Sequence, residues 1–377
     1  MPLAEHHVMI RDAVRKFARE RIAPNAARWD HDKHFPREEV AGLAAMGLCG
    51  VAIPERWGGA GMDTTALALA CEEISAGDGA TCTIVMVTNL AANILLGFGN
   101  DAQKGEFLRP LAQGKALGAF CLTEPQAGSD AAAISTRAEN SGGHYVLNGV
   151  KQFITSGKNA DIAIVFAVTD KAAGKKGISA FVLPTSTPGY KVARLEDKTG
   201  QRASDTAQVL LENCRIPATS LLGEEGRGYR IALANLETGR INVAAQATGM
   251  AQAALQAALA YAAERRSMGK PLIGHQAVGF RLADMATGVE ASRQLYLHAA
   301  SLRDAGLACL KEASMAKLFA SETAEKVCSD AIQIHGGYGY VTDFPVERIW
   351  RDVRVCQIYE GASDIQRMVI GRALEAG

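Results

Sequence analysis

Hydrophobic and polar positions repeat with two different periods along the chain, and the change of period marks three stretches. Over residues 5–22 charged and apolar residues recur at helical spacing, and Pro24 stops the run. Residues 64–75, 80–96 and 101–111 keep that period. Glycine, proline and acidic turn signals separate them, and residues 54–61 form a proline- and glycine-rich link. Residues 1–118 are therefore expected to form an N-terminal helical domain. Over 119–225 the period shortens. Residues 162–168, 178–183 and 207–211 are short β-branched or apolar runs, and Pro184, Pro188 and Pro217 punctuate them. Asn148-Gly149, inside the run 145–153, predicts a tight hairpin turn. This middle stretch reads as a compact antiparallel β domain, a barrel or sandwich. Over 226–377 the helical period returns. Val243, Ala247, Met250, Ala254, Ala258 and Ala262 trace one alanine-rich face, which predicts close helix approach in a four-helix bundle. Residues 282–302 and 311–334 extend it. The fold class is α+β, in the order helices, β domain, helical bundle.

Composition narrows the function classes. The chain has 377 residues, enough for a large core in more than one domain or layer. Lys plus Arg and Asp plus Glu are 40 each, so there is no basic field for nucleic acid. No 18-residue apolar run appears, and the stretch richest in apolar residues, 90–98, is broken by Asn93 and glycine, which predicts a buried helix and no membrane partner. The start of the chain has neither a secretory apolar region nor the acid-poor character of a transit peptide. The eight cysteines include no Cys-x-x-Cys pair. Cys49, Cys71, Cys82, Cys121 and Cys309 lie among apolar or small residues, as reduced thiols of a cytoplasmic protein do.

Candidate chemistry centres on Ile358-Tyr359-Glu360-Gly361, where one carboxylate sits in a break between helical stretches. Ser363 and Gln366 form a capping-box pattern opening the last helix. A carboxylate just outside a helix on permissive backbone suits a general base, although taken alone the same pattern fits a solvated loop residue. No strand runs into a Gly-x-Gly-x-x-Gly turn, and no phosphate-binding Gly-x4-Gly-Lys-Ser/Thr occurs. Gly223-Glu-Glu-Gly226-Arg-Gly228 reads as a turn and helix start. His31-x-x-His34 with Asp30 and Asp32 lacks the further ligands of a metal site, so no metal is expected.

Four separated segments carry a resemblance over nearly the whole chain: Cys121-Leu-Thr-Glu-Pro-Gln-Ala-Gly-Ser-Asp130, Gln152-Phe-Ile-Thr-Ser-Gly157, Gln333-Ile-His-Gly-Gly-Tyr-Gly339 and Gln357-Ile-Tyr-Glu-Gly361. With these, the chain resembles the acyl-CoA dehydrogenases, and most of all their short-chain (butyryl) members. The resemblance implies FAD between the β domain and the C-terminal bundle. It also implies a reaction in which a saturated acyl thioester loses an α proton to a base and a β hydride to flavin N5. Glu360 is then the base, with its pKa raised in a closed apolar site. Its backbone N–H polarises the thioester carbonyl, and Tyr359 and Gly361 flank it at the substrate. Some branches of the family place the base one residue before the arginine of a long bundle helix. That position here is Gly239, before Arg240, which leaves Glu360 as the base.

The same resemblance assigns further roles. Glu237 and Ser129 contact substrate, and Arg240 contacts the nucleotide end of CoA. Phe120, Cys121, Leu122, Thr123, Gly128 and Ser129 hold the flavin ring and phosphate, although Gln126 stands where many relatives have glycine. Phe153, Ile154 and Thr155 lie over the flavin, Phe153 replacing a tryptophan common in relatives. Arg265, Gln276, Gln333 and Gly337 hold the adenosine and pyrophosphate, with Arg265 and Gln276 reaching from a neighbouring subunit. Ala362, through its backbone, and Asp364 match adenosine-contacting positions. An electron-transferring flavoprotein is the implied electron acceptor, and a homotetramer built as a dimer of dimers the implied assembly. Short-chain substrate leads because 239–241 and 196–198 look like short-chain members. A branched short-chain (isobutyryl-type) substrate stays open, since 335–340 looks as much like that branch. An acyl-CoA oxidase and a non-catalytic acyl-CoA or flavin-binding protein are the remaining alternatives.

Overall fold

The computed structural model describes residues 3–375. The chain opens with α1 (Glu5–Phe17), which continues through a π turn (Ala18–Ile22), then α2 (Ala26–Asp32), α3 (Arg37–Ala45), α4 (Thr64–Gly77) and α5 (Gly79–Phe98). Next, α6 (Asp101–Gln103) runs through a second π turn into α7 (Arg109–Ala112). Acidic caps start the two central helices. Asp63 Oδ1 accepts from Ala66 N at 2.8 Å for α4, and Asp78 Oδ2 accepts from Thr81 N at 2.7 Å for α5. By length and composition alone α5 could cross a bilayer, but most of it is buried inside the fold.

The strands are β1 (Gly118–Cys121), β2 (Arg137–Asn140), β3 (His144–Thr155), β4 (Ile162–Val168), β5 (Ile178–Pro184), β6 (Tyr190–Leu195), β7 (Thr206–Pro217) and β8 (Leu221–Leu222). They pair in the order β6-β7-β3-β2-β4-β5-β8, with β1 also on β4. The sheet is not purely antiparallel. β1 lies parallel to β4, from Gly118 opposite Ile162 to Cys121 opposite Val165, and β2 meets β4 in parallel at Arg137 and Val168. The long connection after β1 allows this, because no tight turn forces the chain to reverse.

The Asn148-Gly149 hairpin does not form. β3 passes straight through it, and two β7 residues, Glu212 and Asn213, face Asn148 in a bulge. Asn148 Oδ1 accepts from Asn213 N at 2.8 Å. Gly149 is needed because a Cβ there would collide with Thr136. The hairpin turn lies earlier, at Gly142 (φ 56°) and Gly143 (φ 88°), and is closed by Ser141 N to His144 O at 2.9 Å. Strand β6 has no counterpart among the predicted strands. Its residues are largely exposed, so they carry little hydrophobic signal.

The bundle follows: α8 (Gly228–Ala234), α9 (Leu236–Glu264), a short hairpin of β9 (Arg266–Ser267) and β10 (Lys270–Pro271), α10 (Gln276–Asp304), α11 (Leu310–His335), α12 (Val346–Val353) and α13 (Ser363–Glu375). The alanine-rich face of α9 is buried at every position read from the sequence, from Val243 to Ala262. One core unites α4, α9, α10 and α11, so the N-terminal helices and the bundle pack as one body. Small residues let α4 and α9 approach closely: a Cβ on Gly249 would collide with the Glu72 carbonyl and the Ser75 hydroxyl. All eight cysteines are unpaired and buried.

One buried ion pair shapes the loop after β1. Lys151 Nζ on β3 donates to Glu124 Oε1 at 2.7 Å and to Leu122 O at 3.1 Å, and both charged side chains are out of solvent. Glu124 also accepts from Ser135 N (2.6 Å), Thr136 N (3.0 Å) and Gln126 Nε2 (2.8 Å). Gln126 thus joins the network that folds residues 122–136. Burial opposes the Glu124 charge, but Lys151 and the other donors outweigh it and bring the carboxyl down to about 2.

Two stability outcomes follow from this packing. Lys151→Met strands the Glu124 charge and should cost about 3–5 kcal/mol, read from the urea midpoint. Gly249→Ala should cost about 1–3 kcal/mol by wedging α4 from α9, with the denaturant slope unchanged.

Candidate active site

Glu360 sits in the bend between a 3-10 turn (Arg354–Gln357) and α13. Glu360 (φ 53°) and Gly361 (φ 91°) are both left-handed, a conformation costly for glutamate that needs holding from outside. The donors are at hand. Gln366 Nε2 donates to Glu360 O at 3.2 Å and Gly361 O at 2.8 Å, and Lys317 Nζ on α11 donates to Gly361 O at 2.7 Å. This replaces the capping box expected at Ser363 and Gln366. The helix begins at Ser363 itself, so Ser363 is inside the first turn, and Gln366 is drawn to the bend's carbonyls instead of an N–H.

The Glu360 side chain turns into a narrow cavity of about 60 Å³. Met86, Val87 and Leu90 of α5 form one wall, Thr155 of β3 another, and Thr238, Gly239 and Asn242 of α9 a third, with Tyr359 beside Glu360. Glu360 Oε2 is buried and has no hydrogen-bond partner among the described residues. Burial therefore raises its pKa above the usual carboxylate range, while Arg240 and then Lys317 pull it partly back. Gly239 faces it directly: a Cβ on Gly239 would stand 2.5 Å from Oε2 and 3.1 Å from Cδ. Tyr359 is fixed through its hydroxyl, which donates to Gln246 and accepts from Gln201 Nε2 at 3.3 Å.

The two charged residues read beside Gly239 diverge. Arg240 is buried, 4% exposed, with Nη1 3.3 Å from Ser314 Oγ. It sits in the Glu360 neighbourhood instead of forming a surface ion pair. Glu237 does not line the cavity. It is partly exposed and paired with Arg303 at 2.9 Å.

The segments resembling flavin loops gather on the β domain beside this cavity. Phe120 and Cys121 end β1, and Phe120 packs edge-on against Phe166 at 5.1 Å. Leu122 and Thr123 follow, half-buried, whereas Gly128 and Ser129 are exposed. Phe153 is not a core residue. It is 62% exposed at a left-handed position (φ 58°), where the β3 register slips, while Ile154 beside it is buried. Thr155 reaches the cavity wall.

The remaining predicted residues lie elsewhere. Arg265 caps the far end of α9, its guanidinium 5.7 Å from the Tyr338 ring centroid. It lines an open groove of about 660 Å³ with Gly336, Gly337 and Tyr338. Gln276 and Gln333 are exposed outside that groove's lining. Ala362 is part of the Glu360 bend, and the Asp364 side chain is exposed near Arg367. The histidines of His31-x-x-His34 do not converge. His31 pairs with Asp32, His34 stacks near Trp29, and Asp30 pairs with Arg351.

Sequence reading did not pick out Met86, Val87, Leu90, Asn242 or Lys317. The α5 residues belong to a helix buried on several faces, where no polar stripe singles out a ligand wall. Asn242 is buried with an unpartnered amide oxygen among the described residues, a signal visible only in three dimensions.

Comparison with known proteins agrees with this arrangement. The family models "Acyl-CoA dehydrogenase, N-terminal domain", "middle domain" and "C-terminal domain" match residues 4–115, 119–214 and 226–375. The mitochondrial short-chain specific acyl-CoA dehydrogenase of Homo sapiens is 47% identical, over 98% of this chain and 90% of its own length. The butyryl-CoA dehydrogenase of Megasphaera elsdenii superposes with a TM-score of 0.97 at 41% identity, over 100% of this chain and 99% of its own. A chain from structural work on the electron transferring flavoprotein of Acidaminococcus fermentans and flavin-based electron bifurcation superposes with a TM-score of 0.98 at 44% identity, over 99% of each chain. With its helix–sheet–helix order and full-length similarity, the chain belongs to the acyl-CoA dehydrogenase family of oxidoreductases.

Proposed function

We propose that the protein oxidises a short-chain acyl-CoA to the trans-2-enoyl-CoA, with Glu360 removing the α proton. The observation that carries this reading is the Glu360 carboxylate. Its Oε2 is buried and unpartnered among the described residues, its pKa is raised, and it is aimed into a cavity walled by Met86, Val87 and Leu90. A raised pKa makes a carboxylate a stronger base at neutral pH, and the apolar wall suits an acyl chain. The Glu360 backbone N–H donates to no backbone carbonyl among the described residues, so it is free to polarise a thioester oxygen. The names of the human and Megasphaera relatives favour a short straight chain.

FAD fits beside the cavity. Phe153 displays an aromatic face there, and the Thr123, Ser129 and Thr155 hydroxyls make no hydrogen bond among the described residues. A Cβ on Gly128 or Gly337 would stand in open space, as a backbone approached by a ligand requires. Residues 120–123, 128–129 and 153–155 would hold the flavin, which when bound accepts the hydride leaving the β carbon. Arg265, Gln276, Gln333, Gly337, Ala362 and Asp364 would hold the adenosine and pyrophosphate. Gly239 and Arg265 lie at opposite ends of α9, about 39 Å apart at 1.5 Å per residue. That span supports Arg265 and Gln276 serving the flavin nucleotide of a neighbouring subunit, in a homotetramer. The Acidaminococcus comparison supports an electron-transferring flavoprotein as the acceptor, and the eight unpaired buried cysteines fit a cytoplasmic, reducing setting. Ser129 and Glu237 remain proposed contacts to substrate, and Arg240 the proposed contact to the nucleotide end of CoA, acting from its buried place.

The purified protein should be yellow and bleach anaerobically with butyryl-CoA. Straight acyl-CoAs of increasing length and isobutyryl-CoA, compared by the rate of flavin reduction, should show butyryl-CoA fastest; a colourless protein that takes up no FAD defeats the proposal, and a faster isobutyryl-CoA reassigns the substrate. Glu360→Gln should keep its flavin and bleach about 10²–10⁴-fold more slowly. Arg265→Ala should lose flavin on gel filtration while the parent keeps it, and equal retention would count against a cross-subunit contact.

A further inference from the structure

Among the described residues two lysines are wholly buried, Lys151 and Lys317, and they are treated differently. Lys151 has a carboxylate at 2.7 Å. Lys317 has no carboxylate within ion-pair distance among the described residues, and it donates instead to a main-chain oxygen, Gly361 O at 2.7 Å. An ammonium in a dry site without a contact counter-ion is costly, so a purely structural role would be served better by an apolar residue of the same length. What Lys317 does have is proximity to Glu360. It stands on α11 one turn beyond Ser314, whose hydroxyl meets Arg240 Nη1 at 3.3 Å, so α9 and α11 bring two cations to one unpartnered carboxylate.

We propose that Lys317 is a positioning residue for the reaction: its ammonium pins the Gly361 carbonyl behind Glu360, and its charge keeps that base ionised where its Oε2 is buried. The inference rests on Glu360 being the base. The pinning matters because Glu360 and Gly361 are consecutive left-handed residues, and the Gly361 carbonyl is gripped from both sides by Lys317 and Gln366. Without the lysine the bend has one donor fewer, and the carboxylate loses its fixed aim at the cavity. The charge matters because burial alone would push Glu360 toward its neutral form, in which it is no base. The groups facing Glu360 are Arg240 from α9 and Lys317 from α11. Those facing Lys317 are Cys356 and Glu360 from the 3-10 turn and bend, Arg240 from α9, and Glu322 from its own helix. Burial lowers Lys317 to about 8, which leaves it protonated at neutral pH.

The sign is definite. A nearby cation lowers the pKa of Glu360; removing it raises that pKa, and the base then needs a higher pH to ionise. In Lys317→Met the acid limb of the pH profile for flavin reduction by saturating butyryl-CoA should move up by about one unit. The plateau rate should fall about 10- to 100-fold. Lys317→Arg, which keeps the charge, should retain the parent's acid limb even if its rate falls. An acid limb in Lys317→Met that coincides with the parent's overturns the inference. If Lys317→Met does not hold flavin, Lys317→Gln, neutral but still a donor, carries the same arm. Failure of both neutral variants to fold overturns the assignment in favour of a structural lysine. An independent readout needs no turnover. Thermal midpoints of the parent, Lys317→Met, Glu360→Gln and the double variant should be non-additive, and additive midpoints count against any coupling. Normal bleaching by Glu360→Gln would instead defeat the assignment of the base, so the two failures are told apart.

Discussion

The site depends on keeping one carboxylate oxygen buried, unpartnered and still usable. Inside a protein such a group normally neutralises or finds a partner. Glu360 does neither completely, because its surroundings act on it in opposite directions. Desolvation of Oε2 favours the neutral acid, while Arg240 and Lys317 favour the anion without contacting it closely enough to quench it. A closer salt bridge would lower the pKa and tie the oxygens up. More distant cations would leave a neutral acid in an apolar pocket.

That balance needs three stretches of the chain to meet at one point. The bundle contributes α9 and α11 and the left-handed bend between them and α13. The N-terminal helices contribute the apolar wall of α5, and the β domain contributes Thr155. Close helix packing makes the meeting possible, since the α4–α9 contact at Gly249 admits no Cβ and the α9 seam is built largely from alanine. The buried Lys151–Glu124 pair plays the matching part in the β domain. There it ties the loop after β1 to the strand that carries Phe153 and Thr155.

What was legible in the sequence was whatever local pattern determines. The helical period over 5–22, the strands at 162–168 and 178–183 and the buried face of α9 depend on near neighbours, and each is found where the pattern puts it. The Glu360 segment was legible because a short motif carries it. The failures share a cause: they were decided by residues far away in sequence. Asn148-Gly149 has the composition of a hairpin turn, yet Asn213 and Thr136 turn it into a bulge partner and a close approach. Ser363 and Gln366 have the spacing of a capping box, yet the carbonyls of the bend draw Gln366 away. β6 is an exposed edge strand with little apolar signal, and β1 pairs in parallel across the chain with β4. Lys317 looks like any lysine on a long helix until α11 is placed against the bend.

Gly239 shows how tightly the volume is shared. A methyl group there would already lie at 2.5 Å from Oε2 of Glu360, so positions 239 and 360 compete for the same space on opposite sides of it. A carboxylate can be delivered to this cavity from the helix or from the bend, but not from both with the present backbone. Glycine on α9 is therefore not merely the absence of a second carboxylate. It is the room that the Glu360 side chain occupies, and any residue larger than glycine at 239 must displace the Glu360 carboxylate before it can contribute anything of its own.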